Sequence, residues 1–386
     1  MNITAIVPVY NCQDYIEKAI QSLLKQTFPI KEIIIVDDGS NDGTLEIIEK
    51  LHSQNSSLKL VRQSTNLGVS SARNKGISEA SNEWILFLDA DDFVEDTIIE
   101  RYTGVLDDEL GKDPNYVLVY PAYNQVDSNG DSLQSVVTGI QVLSHEILGY
   151  EFVRNYVISP SGVLVKKEAI MKFNGFDTTI SINEDWDLWL KLAEIGGFIY
   201  VDDPLVNIRR HPSNTTSNIS LSSQAEINIL KKYQLFEIKE AIYKRELSVF
   251  ANSCDYVSIL FRLEEWEKGF LILSSINESK NITVLFLKGI YYIHVLKLRE
   301  AEQCFEQILA QDPLHGSSIN NIGVIHVLNN RVNMGIKYLR KALELFPGYV
   351  DAHFNLEQLV KKVEKRIENF KVTKRELRPN LLKYFK

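Results

Sequence analysis

Trp84-Ile85-Leu86-Phe87-Leu88-Asp89-Ala90-Asp91-Asp92 carries an apolar run straight into three carboxylates. Such a run, bounded by acids, reads as a buried strand of a parallel sheet. Open α/β sheets take their ligands just beyond the carboxyl ends of the strands, so the three acids fall where a ligand belongs. Clustered carboxylates repel each other unless a cation joins them, and their hard oxygens suit Mg²⁺ or Mn²⁺. An ion of this kind is usually shared with substrate phosphates. The first expectation is therefore a metal-assisted reaction on a nucleotide or sugar phosphate.

Working outward, the first ~100 residues alternate between two periods. Ile3–Tyr10, Glu32–Asp37, Leu58–Val61 and Trp84–Asp89 read as strands. Between them, Ile16, Ala19, Ile20, Leu23 and Leu24 share one helix face. Leu45, Ile47, Ile48 and Leu51 do the same for a second helix, and Ala72, Ile77 and Ala80 for a third. This alternation implies right-handed crossovers and a mostly parallel sheet with helices on both faces. Further strands are expected at Tyr116–Tyr120, Gly162–Val165 and near Phe198–Val201, and a helix from Glu184 to Ile195. The Ser-, Thr- and Asn-rich stretch from Arg209 to Ser223 reads as a boundary or mobile loop. It divides an α/β domain, residues 1–222, from an all-α region, residues 223–386.

The helical region holds an internal repeat. Gly289, Ala301, Phe305 and Pro313 recur 34 residues later as Gly323, Gly335, Leu339 and Pro347. This resembles the tetratricopeptide pattern, one helix pair per repeat, and is clearest over 282–349. Leu247–Leu273 could hold an earlier, degenerate copy, and Asp351–Leu359 could begin a further pair or cap. Stacked pairs present a concave surface that suits a protein partner, an acceptor or a second copy of the chain.

The composition is that of a soluble globular protein, 45% hydrophobic and 24% charged. A net charge of −9 argues against general nucleic-acid binding. Cys12, Cys254 and Cys304 show neither metal spacing nor a disulfide framework, which fits a reducing compartment. The N-terminus reads as a strand at once, unlike a signal peptide, and no apolar run is long enough to span a bilayer. The expected location is cytoplasmic, with at most peripheral contact at the inner face of the plasma membrane. Lys361–Lys386 carries a charge of +7 against −16 for the rest of the chain. It reads either as a solvated terminal helix or as a surface for acidic lipid or an anionic partner.

Three strand ends can meet in one crevice: Val7-Pro8-Val9-Tyr10-Asn11, Val36-Asp37-Asp38-Gly39-Ser40 and Asp89-Ala90-Asp91-Asp92. Together with Asn66-Leu67-Gly68-Val69-Ser70-Ser71-Ala72-Arg73-Asn74-Lys75-Gly76, Gly175-Phe176-Asp177 and Glu184-Asp185-Trp186-Asp187-Leu188-Trp189, they resemble the family 2 glycosyltransferases, which have the GT-A fold. The resemblance covers about residues 1–215, with the motifs in family order.

That likeness implies a nucleotide-sugar donor, most naturally a UDP-sugar, with Pro8, Tyr10, Asn11 and Asp38 around its base and ribose. Asp91 becomes the metal ligand, for Mn²⁺ or Mg²⁺. Asp89 and Asp92 support it through ribose, water or the ion. The glycine-flanked segment before Arg73 offers backbone N–H groups to phosphate. Arg73 itself either faces the donor or pairs with the acid cluster. Ser181-Ile182-Asn183-Glu184 fits a capping box, with Asn183 as the other possible cap. Glu184 and Asp185 then open the Trp-rich helix, where the positive helix end favours an ionised carboxylate. The likeness casts Asp185 as the general base. His211 either ligates the metal, touches phosphate or is simply exposed. The segment Asn207–Ser223 is expected to close over the donor, and Ala122–Gly139 and Ser144–Pro160 to shape the acceptor pocket.

The resulting expectation is a metal-dependent, inverting transfer of a sugar to a hydroxyl of a glycan, lipid or protein, within cell-surface glycan synthesis. Two other classes stay open. A nucleotidyltransferase would make the nucleotide-sugar, but Val7–Gln13 lacks the glycine and basic residues of its phosphate loop. A non-catalytic scaffold would carry a decayed transferase domain, yet Asp38, Asp91 and Asp185 are all present.

Overall fold

A computed structural model describes residues 2–111, 113, 115–211, 219–375 and 377. The chain forms two compact units, Met1–Arg245 and Glu246–Lys386.

In the first unit, β1 (Ile3–Val9), β2 (Glu32–Asp37), β3 (Leu58–Arg62) and β4 (Trp84–Phe87) alternate with α1 (Ile16–Leu24), α2 (Thr44–Gln54) and α3 (Val69–Glu79). Then come β5 (Phe93–Val94), α4 (Ile98–Glu109), β6 (Tyr116–Val126), β7 (Ser132–Val137) and α5 (Ile147–Val153). β8 (Leu164–Lys166), α6 (Lys167–Met171), α7 (Glu184–Ala193), β9 (Gly197–Arg209), α8 (Ile219–Leu230) and α9 (Leu235–Tyr243) complete it.

The sheet runs β3-β2-β1-β4-β8-β6-β9-β5, with β7 paired to β6. The first four strands are parallel, as their apolar runs imply. Beyond β4 the sheet turns mixed: β8 is antiparallel to β4 and β6, whereas β6 and β9 are parallel. β1 is buried along its whole length and β4 on both faces, so neither shows the two-residue alternation of a half-exposed strand. α3 lies close on β1, because a Cβ at Gly76 would stand 2.5 Å from Ile6 Cγ2. That approach sets where Arg73, one turn earlier, meets the sheet.

The division between units falls after Arg245, later than the Ser/Asn-rich stretch suggested. α8 and α9 belong to the first unit for a physical reason. Lys232 bridges Asp177 (3.0 Å) and Asp187 (2.7 Å), and Tyr233 packs edge-on against Phe152. Residues 212–218, the centre of the expected closing segment, lie outside the described residues.

The second unit comprises α10 (Val249–Arg262), α11 (Trp266–Ser275), α12 (Ile282–His294), α13 (Leu298–Gln311), α14 (Gly316–Leu328), α15 (Val332–Leu345) and α16 (Val350–Val360). The sequence repeat is a packing device. A Cβ at Gly289 would meet the Phe305 ring at 2.6 Å, and one at Gly323 would meet Leu339 at 2.9 Å. In each pair the small residue of one helix admits the bulky residue of the next. α10 and α11 form the earlier pair, with Gly269 against Phe261 in the same manner.

The basic tail is not a terminal helix over its described part. A short 3-10 turn at Ile367–Asn369 leads into extended chain. Residues 376 and 378–386 lie outside the described residues. Among the described helices none is long and apolar enough to cross a membrane.

Candidate active site

The carboxyl ends of β1, β2 and β4 are laced together by local polar groups. Asp38 N–H donates to Val9 O at 2.8 Å, and Leu88 N–H to Ile6 O at 3.1 Å. Asn11 adopts φ 47°, a value Asn tolerates in tight turns. Its N–H donates to Ser40 Oγ at 3.0 Å, and its Oδ1 accepts from Asn41 N at 2.8 Å. Pro8 is buried in β1, whereas Tyr10 stands 46% exposed at the mouth.

Asp38 is buried, and its carboxylate is largely occupied. It accepts from Gln63 Nε2 (3.0 Å), Leu67 N (2.8 Å) and Gly68 N (2.8 Å). Gly68 takes φ 92°, which few side chains allow, and this turns its N–H toward Asp38. The loop before α3 is thereby fixed, and two of its N–H groups that might greet a phosphate are already used. A carboxylate offers about four acceptor positions, so one stays available.

Arg73, 2% exposed on α3, forms the ion pair that was one of the two alternatives drawn from sequence. Its guanidinium donates to Glu184 Oε1 at 2.7 Å and to Asp89 Oδ1 at 2.7 Å, with Phe176 beneath it. Burial opposes its charge, but the two carboxylates outweigh burial and hold its pKa above the usual range. One buried cation thus ties the β4 end to the start of α7.

The capping box expected there does not form. Asn183 occupies the N-cap in a left-handed conformation, φ 63°, without a side-chain cap bond. Asp185 instead accepts from Trp186 N at 2.7 Å. Its carboxyl is pushed up to about 8, first by burial and then by the charge of Glu184, with Arg73 opposing. Asp185 keeps a partial opening to solvent, so it is reachable while poised near neutral pH.

The remaining acids divide by task. Asp92 turns inward, where it accepts from Ser161 Oγ (2.5 Å) and Arg209 N (2.8 Å). These bonds tie the end of β4 to β9. Ser161 Oγ also accepts from Asp89 N at 3.1 Å. Arg209 adds Nε to Asp91 O at 2.8 Å and lies over Tyr15, 4.5 Å from the ring centroid. Asp89 is raised by burial and by Asp91, with Arg73 acting against both.

Asp91 and His211 meet directly, Oδ2 to Nε2 at 2.9 Å, and His211 stacks on Tyr15. Among the described residues no three His, Cys, Asp or Glu side chains gather as a complete metal cage. The Asp91–His211 pair nevertheless fits a Mg²⁺- or Mn²⁺-type ion. Two ligands of one octahedral ion stand ~3 Å apart when the bonds are ~2.1 Å, and such ions take only one or two protein ligands beside phosphates and water. Asp89, whose Oδ1 is turned to Arg73, is the weaker ligand candidate. The Cys12 thiol nearby is pushed up to about 12 by burial and by Asp91, so it stays protonated and is no nucleophile.

Sequence reasoning missed Ser161, Gln63 and Arg209. Ser161 sits in a Ser-Pro-Ser-Gly turn with no chemical signature. Arg209 carried one faint signal: it lies two residues before His211, on the same side of an extended chain.

Comparison with known proteins agrees with this architecture. Residues 4–168 match the model of glycosyl transferase family 2. That match lies within the N-terminal unit and marks a family 2 domain there. Chondroitin synthase of Escherichia coli is 29% identical over 214 residues, 55% of this chain and 30% of its own length. Hyaluronan synthase of Pasteurella multocida is 27% identical over 252 residues, 64% of this chain and 24% of its own length. The chain therefore spans about a third or less of the length of these curated relatives. Among solved structures, Staphylococcus aureus TarS 1–349 in complex with UDP-GlcNAc superposes with a TM-score of 0.51 at 17% identity, covering 98% of each chain. The family 2 domain thus has the GT-A fold, and its β1, β2 and β4 ends form the crevice described above.

Proposed function

We propose that the family 2 domain is a metal-dependent, inverting glycosyltransferase that moves a sugar from a nucleotide-sugar to an acceptor hydroxyl. One observation carries the reading: buried Arg73 joins Asp89 and Glu184, and so holds reachable Asp185 beside the acidic end of β4. The UDP-GlcNAc bound by TarS and the two synthase relatives support a UDP-sugar donor and a glycan among the possible acceptors.

In this reading Tyr10 lies along the base, and the free acceptor position of Asp38 meets a ribose or base donor. Asp91 and His211 would hold a divalent cation, which neutralises charge on the departing nucleoside diphosphate. Asp185 takes the proton of the acceptor hydroxyl. The acceptor oxygen bonds to the anomeric carbon from the face opposite the diphosphate, and the carbon–oxygen bond to the diphosphate breaks. A single displacement of this kind inverts the anomeric centre. Arg73 positions the carboxylates and leaves the proton transfer to Asp185, whose pKa near 8 suits a general base near neutrality.

A hollow lined by Tyr120, Tyr123, Gly139, Tyr156, Ser159 and Ser161 joins the two segments expected to shape the acceptor pocket. Ser161, in its lining, also bonds Asp89 N and Asp92. We assign it to the acceptor. The helical unit would recruit a partner or the acceptor, and cytoplasmic cell-surface glycan synthesis is the natural setting.

A thermal-shift screen of nucleotide-sugars with Mn²⁺ tests donor binding, since a ligand that binds only the native state raises the melting point. Donor hydrolysis by wild type and Asp91→Ala follows. Equal rates would remove the metal role, and no turnover of any donor would favour a scaffold. A retained anomeric configuration in early product, read by NMR, would overturn inversion.

A further inference from the structure

Arg209 ends β9 as a buried side chain, and arginine is almost never buried unless its donors are met. Its bonds go to two stretches of chain far apart in sequence. On one side its main-chain N–H donates to Asp92 Oδ1 and its Nε to Asp91 O, each at 2.8 Å. On the other, Nη1 donates to Ser128 O at 2.8 Å and to Asp127 O at 3.3 Å, in the turn between β6 and β7. The planar fork therefore joins the acidic segment after β4 to that turn, which the single ammonium of lysine cannot copy. The rings of Tyr15 and Phe93 flank the guanidinium, 4.5 and 5.7 Å from their centroids. Tyr15 in turn stacks on His211 at 5.4 Å.

Both members of the Asp91–His211 pair thus lean on Arg209. Its Nε holds the Asp91 main chain, and the Tyr15 ring that it faces carries the His211 ring. The turn is built to keep its carbonyls in place. Asp127 Oδ1 accepts from Asn129 N and Asp131 N, each at 2.9 Å, and Asp127 N donates to Asp131 O at 2.9 Å. Gly130 completes the turn at φ 90°, where a side chain would be strained.

We propose that Arg209 is the positioning residue that sets the affinity of the Asp91–His211 pair for a divalent cation, with the turn Asp127–Asp131 as its outer anchor. The inference rests on the metal role proposed above and adds a property to it: a change in the β6–β7 turn is felt at the ion. Charge and geometry act here in opposite senses. A guanidinium near Asp91 repels an incoming cation, so its charge alone weakens the metal. Its bonds hold two ligands 2.9 Å apart in advance, and so strengthen it. Geometry is the larger effect, because outer-shell partners of metal ligands carry about 10–100-fold in affinity.

Mn²⁺ is titrated into the full chain without donor or acceptor, and the free ion is read by its EPR signal. Arg209→Lys keeps the charge but cannot reach Asp91 O and Ser128 O together, and should weaken binding about 10–100-fold. Arg209→Met removes the charge and should weaken binding as well. Tighter binding by Arg209→Met overturns the proposal, because charge alone would then decide. Asp127→Ala leaves the ligands and Arg209 in place, and should weaken binding about three- to tenfold, the scale of one lost hydrogen bond. Asp127→Asn keeps the turn's side-chain acceptor and should restore the wild-type value. Wild-type affinity in Arg209→Lys and Asp127→Ala chains that melt cooperatively overturns the proposal. Should Arg209→Lys fail to fold, the Asp127 pair decides, and equal affinity for Asp127→Ala and Asp127→Asn overturns it. Wild-type uptake that Asp91→Ala abolishes shows that the ion being read is the one at this pair. If wild type takes up no Mn²⁺, the metal role itself falls and this inference with it.

Discussion

Arg73 donates to Glu184 at 2.7 Å although 111 residues separate them, and the same guanidinium holds Asp89. A buried cation between two carboxylates is costly to assemble and more costly to break. It fixes the distance between the carboxyl end of β4 and the start of α7.

Arg73→Met should therefore destabilise the first unit by about 3–5 kcal/mol, because Asp89 and Glu184 would be left buried and unbalanced. Urea unfolding of the full chain measures this. A loss below about 1 kcal/mol would mean that the pair is solvated and does not organise the site.

Asp185→Asn should keep the fold and lower turnover by about 10²–10⁴-fold, the span of a lost general base. The wild-type kcat/KM should rise with pH through about 8, as Asp185 ionises in the free enzyme. The stability effect has the opposite sense. The folded pKa lies above the unfolded one, so the unfolded chain ionises first, and Asp185 makes the fold progressively less stable from about pH 4 up to about 8. Asp185→Asn should then melt higher than wild type at pH 8 and by a smaller margin at pH 5. Equal margins at both values would place the carboxyl in ordinary solvent.

Chelation should abolish turnover, and Mn²⁺ or Mg²⁺ should restore it. His211→Ala should raise the metal concentration for half-maximal rate by at least ~10–100-fold, the scale seen when even outer-shell partners of a metal are removed. Asp91→Ala should do so more strongly. Wild-type metal dependence in His211→Ala would leave His211 as a mere stacking partner of Tyr15.

Gly289→Ala and Gly323→Ala should each cost about 1–3 kcal/mol, because the new methyl overlaps Phe305 or Leu339. Thermal unfolding followed by circular dichroism reports it. Unaltered melting would show that the helix pairs have slack at the point where the repeat looks tightest.

Much of the site was legible because its chemistry is local. Asp38, Asp91 and Asp185 each stand at a strand end or helix start that hydrophobic periodicity reveals. The partners of these acids were not legible. Ser161 and Gln63 are ordinary polar residues, and only the folded chain brings them to Asp92 and Asp38. The same holds in the second unit. The glycine-to-bulky spacing announced the helix pairs, whereas Asn320 and Asn321 of α14 gave no sign of Lys371 and Thr373, to whose carbonyls they donate.

By itself, the sequence determined the parallel start of the sheet, the acids at its mouth and the helix pairs, because period and turn chemistry act over a few residues. Tertiary structure alone decided that Arg73 is an internal cation, that Asp92 faces inward, that α8 and α9 stay with the first unit, and that Lys371 and Thr373 lie against α14. Each of those outcomes depends on what burial places opposite a polar group. No pattern along the chain encodes that pairing.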